Sequence, residues 1–221
     1  MTATPVYLEV GKKQVFASAL DWPGWSRRGP GEEGALAALA ASLPRYAAVA
    51  ELAGLALPPG AAESFTVTER VASTGGYADF GAPGHAAVSD ARPIDAAEAG
   101  RLVALVRAAW TAFDRAVDRV PEELRKGPRG GGRDRTKMVE HVLAAEASYA
   151  RHLGVKIRQP ASGDGPAIAA ARDAIAAALD RPSDGAPFTA KGWVPRYAAR
   201  RIAWHVLDHA WEMEDRAAPA G

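Results

Sequence analysis

Apolar residues alternate with polar or amphipathic ones at the start of the chain, where Val6, Leu8 and Val10 occupy every second position. That period of two predicts a strand. Gly11-Lys12-Lys13 then predicts a turn, and Val15 to Leu20 a return strand that makes a hairpin. After Trp22-Pro23-Gly24-Trp25 and the breaker Gly29-Pro30-Gly31 the period changes to that of a helix, with Leu36, Leu39, Leu43, Tyr46 and Val49 on one stripe behind the acidic start Glu32-Glu33. Pro44 should kink this helix or split it. Pro58-Pro59-Gly60 ends it, and the β-branched run around Phe65, Thr66, Val67 and Thr68 predicts another strand.

From Ile94 onward every periodic segment is helical. Asp95 and Glu98 have capping-box spacing, with Ile94 placed as a hydrophobic staple, and Leu102, Val106, Ala109, Phe113 and Val117 form the apolar stripe. A second helix should run from a Thr136 cap to about Leu153 and stop at Gly154. A third is expected over 167–180, and a fourth opens at Trp193-Val194-Pro195. The chain therefore divides into an α+β unit over 1–74, a Gly/Pro/Asp-rich linker over 75–93 and an all-α unit over 94–221, with four helices suited to an up-and-down bundle.

Composition narrows the function. A formal net charge of +1 gives no overall field toward nucleic acid or an anionic membrane. The absence of cysteine excludes disulfides, thiolate nucleophiles and zinc ribbons, and fits a cytoplasmic protein. The first residues carry no signal-peptide pattern, and no apolar run reaches the length of a membrane span. No phosphate loop, dinucleotide fingerprint or serine-nucleophile motif is present.

The candidate chemistry lies in the histidines. His205 and His209, four residues apart, share a helix face with Ala198, Ile202 and Glu212, and His141 shares one with Met138, Ala145 and Tyr149. Both stripes point inward, where an imidazole needs a hydrogen bond or a metal. Three neutral imidazoles can hold one divalent ion and leave a position open, as catalytic sites require. His85, in the linker, and His152, near a helix end, read as solvent-side residues. Glu212 could orient an imidazole or act as general base; Asp208 beside it reads as a helix-surface carboxylate. The basic run Arg125, Lys126, Arg129, Arg133, Arg135 and Lys137 could gather an anionic substrate, with Arg133 and Arg135 as its binding residues. It lacks interleaved aromatics for stacking bases. Trp204, Leu207 and Trp211 make a second apolar stripe on the last helix, to be covered by the N-terminal unit or by a second subunit in a homodimer.

Two stretches resemble known families. MVEHVLAAEASYARHLG (138–154) and RRIAWHVLDHAWEMEDR (200–216) are similar to the second and fourth helices of the DinB-like four-helix-bundle family, whose superfamily includes thiol-dependent transferases and isomerases. Its H-x-x-x-x-E and H-x-x-x-H patterns fall on His141, Glu146, His205 and His209. The resemblance covers about residues 94–217. It implies a three-histidine divalent-metal site for zinc or nickel, and an enzyme acting on a small molecule, such as a low-molecular-weight thiol. FASALDWPGWSRRGPGEEGALAAL (16–39) resembles the core of HicB-like antitoxins and implies a small βαβ module. The competing expectation is a metal-stabilised scaffold, with the HicB-like half binding a partner.

Overall fold

A computed structural model describes residues 3–127 and 132–217. Four strands form one sheet near the N-terminus, and seven α-helices are found among the described residues. The chain is thus mixed α and β.

The expected hairpin is β1 (Thr4–Val10) and β2 (Val15–Ala19), paired antiparallel with Val6 opposite Ala19 and Val10 opposite Val15. β3 (Ser26–Gly29) adds to β2 at the edge. The chain then crosses over through α1 (Gly31–Ala41) and α2 (Leu43–Leu52) to β4 (Phe65–Ala72), which lies parallel to β1. The sheet order is β3-β2-β1-β4. Pro44 acts as the pattern predicts: α1 stops at Ser42, and α2 restarts with proline in its first turn at an angle of 51°.

The turn between β2 and β3 is fixed by Trp25. Its buried indole donates to Leu39 O at 3.0 Å and to Ser42 Oγ at 3.1 Å, and it stacks on Tyr46 with ring centroids 5.5 Å apart. Gly24 in the same turn has φ +93°, and a Cβ there would meet the Leu207 side chain at 2.6 Å. Only glycine combines that backbone with such close approach to the last helix.

Each face of the sheet has its own cover. Val6 and Leu8 point into the main core with Trp25, Leu39 and Tyr46, and this core continues without a break through Leu105, Phe113, Ile202 and Leu207. Tyr7 and Glu9 point the other way and are also buried. Residues 75–93, read as a linker, cover them. This segment holds the short α3 (Tyr77–Phe80) and a 3-10 turn at Val88–Ala91, and packs Ala87 against Tyr7. Polar groups do much of the joining. Buried Glu9 accepts from Ser73 Oγ, from the N–H groups of Gly84 and His85, and lies 2.9 Å from His85 Nδ1. His85 is therefore not a solvent-side residue but the partner of a buried carboxylate. Asp79 caps the β1–β2 turn through the N–H groups of Lys12, Lys13 and Gln14.

Four longer helices follow: α4 (Ala96–Arg119), α5 (Arg135–His152), α6 (Gly165–Leu179) and α7 (Pro195–Ala217). Asp95 caps α4 by accepting from Glu98 N at 2.8 Å, but the Glu98 side chain turns to Arg196 instead of closing the box. α5 begins after Asp134, not at Thr136. The Thr136 hydroxyl lies inside the helix and donates to Glu122. α4 packs on α7 and α6, and α5 packs on the same two helices. α7 also meets the sheet half. Trp204 lies edge-on to Phe16 of β2, and Trp211 is covered by the guanidinium groups of Arg27 and Arg45, so the N-terminal half covers the second apolar stripe. No single helix among the described residues is long and apolar enough to cross a membrane.

Candidate metal centre

His141 projects from the second turn of α5, and His205 and His209 from consecutive turns of α7, where the two helices pack together. One ligand nitrogen from each lies within 4.8 Å of the others. The ring centroids are 5.1, 4.8 and 4.6 Å apart around the triangle. His141 Nε2 and His205 Nε2 stand 3.3 Å apart. Two imidazole nitrogens each about 2.1 Å from one tetrahedral ion are separated by a similar distance.

The surroundings disfavour protons on His205 and His141. His205 is 7% exposed, and burial, reinforced by the charges of His209 and Arg201, holds its pKa well below the usual imidazole range. Burial together with the nearby His209 and Arg133 lowers His141 to about 4. Both are neutral at pH 7, the state in which imidazole is a ligand. His205 Nδ1 is buried without a hydrogen-bond partner, and its Nε2 faces only another imidazole nitrogen. Buried polar atoms of a folded protein are rarely left so poorly satisfied. A cation between the rings would use the facing Nε2 lone pairs of His205 and His141 and leave the proton of His205 on Nδ1, so the residues fit a divalent ion.

His209 is oriented from behind. Its Nδ1 lies 3.1 Å from Glu212 Oε2, which puts the lone pair on Nε2 when Nδ1 carries the proton. The hydrogen bond to His209 and the charge of Arg216 hold Glu212 below the usual carboxylate range. Arg216 in turn donates to Glu212 Oε1 at 3.2 Å, to Arg125 O at 2.6 Å and to Arg133 O at 2.7 Å. It ties the end of α7 to both sides of the glycine-rich loop. Arg216 stood in the sequence as one more charged residue near the chain end; its i,i+4 spacing from Glu212 was the available signal.

The other expected residues separate. Glu146, matched by the family pattern, lies away from the histidines. Five residues from His141 is about 140° around the helix, and the carboxylate accepts from Trp110 Nε1 at 2.7 Å and sits 3.6 Å from Arg172 Nε. Burial raises its pKa to about 7. Arg135 is engaged by Glu122 and Val120 O. Arg133 is exposed, close enough for its charge to act on His141 and His205. Arg129 falls outside the described residues. Asp208 is a partly exposed carboxylate on α7, as its pattern suggests, 3.7 Å from Arg27. His152 stacks flat on Trp193, centroids 4.3 Å apart. Next to Glu212 a cleft of about 580 Å³ opens between β3 and α7, walled by Phe16, Arg27, Arg28 and Trp211.

Compared with protein-family models, curated proteins and solved structures, the chain matches none.

Proposed function

We propose that this chain is a divalent-metal-dependent enzyme acting on a small molecule, with α4–α7 as a DinB-like up-and-down four-helix bundle and His141, His205 and His209 as the ligands. The observation that carries the reading is the convergence of three imidazoles from two helices, with Nε2 of buried His205 facing Nε2 of His141 at 3.3 Å. A bound zinc or nickel ion would act as a Lewis acid, lowering the pKa of a coordinated thiol or water. A thiol cosubstrate suits a chain with no cysteine of its own.

The protein's own groups have separable tasks. His205 supplies a ligand already stripped of water. Glu212 has both oxygens engaged, by His209 and by Arg216, so we assign it to orienting His209 and not to taking a proton from substrate. His141 and His209 are less deeply buried than His205, and we infer that substrate approaches from their side. Transfer or isomerisation of a thiol adduct is the reaction class we favour.

The test is spectroscopic. A cobalt-substituted protein should change its visible spectrum when a low-molecular-weight thiol is added, and His141→Ala should lose the response. Indifference to every thiol tried, without thiol-dependent turnover, would favour the scaffold reading, in which the metal pins α5 to α7.

A further inference from the structure

α7 carries three arginines in its first two turns, and they are not equivalent. Arg196 is paired with Glu98 at 2.5 Å, and Arg200 is buried against Asp90. Arg201 has no ion-pair partner: no described carboxylate pairs with it, its guanidinium reaches the Tyr149 hydroxyl, and its Nη1 is buried with nothing to donate to. Its guanidinium lies 4.7 Å from the centroid of Trp204 and 5.4 Å from that of Tyr149. Aromatic faces hold a guanidinium by its plane and leave its edge N–H donors unspent. Arg201 is partly exposed, but a buried guanidinium nitrogen in that condition is costly, and an anionic acceptor relieves the cost.

Its position relative to the histidines gives this donor a use. Arg201 precedes His205 by one turn, about 6 Å along the helix axis, on the same side of α7. Both residues border Tyr149, whose ring centroid is 5.6 Å from that of His205. The carboxylate Glu212 lies at the opposite end of the cluster and is already engaged. The site therefore has an unpaired cation on one side of the three ligands and a satisfied carboxylate on the other.

We propose that Arg201 is the anion anchor of this centre, and that the substrate class is a small two-headed anion: one end binds the metal, and a carboxylate about one helical turn away pairs with Arg201. This rests on the metal reading above and adds the charge and reach of the substrate. It moves substrate recognition from the glycine-rich loop, where Arg135 is held by Glu122, to α7.

Succinate and its monoamide succinamate, equal in size and different in charge at one end, provide the probe. Cobalt-loaded wild-type protein, titrated with each and followed by its visible bands, should bind succinate at least about tenfold more tightly, as a charge-assisted pair implies. Arg201→Met should bring succinate down to the level of succinamate with cobalt content unchanged, and Arg201→Lys should keep most of the preference. Equal binding of both probes by the wild type, or a preference that survives in Arg201→Met, would overturn the assignment while leaving the metal site standing. A wild-type protein that takes up no cobalt would overturn both. The wild-type comparison needs no variant, so it holds even if Arg201→Met fails to fold.

Discussion

Replacing Asp90 by alanine should be among the most damaging single changes in the chain, although Asp90 lies in a segment that reads as a connector. The Asp90 side chain is 1% exposed and that of Arg200 6%. The carboxylate receives both terminal guanidinium nitrogens of Arg200, one of them at 2.5 Å, and also caps Ala87 N at 2.8 Å. Asp90→Ala leaves a buried arginine uncompensated, which costs about 3–5 kcal/mol. For a chain of this length each kcal/mol lowers Tm by about 2–4 °C, so a fall of roughly 6–20 °C is expected. Adding Arg200→Met removes the stranded charge and keeps an apolar side chain near the Tyr7 ring, 4.8 Å from the guanidinium in the wild type. The double variant should recover most of the loss, because an apolar pair often replaces a buried ion pair at little cost. Urea and thermal unfolding of the four proteins in the cycle measure this. A loss below about 1 kcal/mol in Asp90→Ala, or a double variant no better than the single, would refute the claim that this pair fastens residues 75–93 to α7.

Glu146 should make stability fall as pH rises. Its pKa is raised by burial to about 7, so the folded state holds a proton that the unfolded state releases near its ordinary value of 4.5. The contribution is fully present below 4.5 and is lost as pH rises through about 7. Glu146→Gln, which keeps an acceptor for Trp110, should therefore gain on the wild type between pH 5 and pH 8 in urea titrations; a pH-independent difference would count against it. Glu212→Gln should lower metal affinity by about 10–100-fold without abolishing binding at saturating metal, as expected for a group that orients a ligand. Competition with a chelator measures this, and an unchanged affinity would remove Glu212 from the site.

The histidine cluster was legible because it depends on helical spacing alone. His205 and His209 are one turn apart, and the stripe of Ala198 and Ile202 marks their face as inward. The covering of Trp204 and Trp211 followed from the same geometry. β3 escaped because Ser-Arg-Arg-Gly has no apolar alternation; it is a strand by pairing with β2 rather than by its own pattern. Residues 75–93 resembled a linker because the sheet face they cover is built from Tyr7, Glu9 and backbone N–H groups, so burial there needs capping carboxylates instead of a hydrophobic period. Arg201 was invisible as a site residue for a different reason. Arg196, Arg200 and Arg201 look alike in sequence, and only tertiary pairing with Glu98 and Asp90 shows which one is left without a carboxylate.

Metal content measured on the purified protein, without added chelator, tests the central claim most directly. The three-histidine reading predicts about one divalent transition metal per chain, zinc or nickel, and its loss in His205→Ala while the fold is retained by circular dichroism. A metal-free wild-type protein that also takes up neither zinc nor nickel when they are supplied would contradict it.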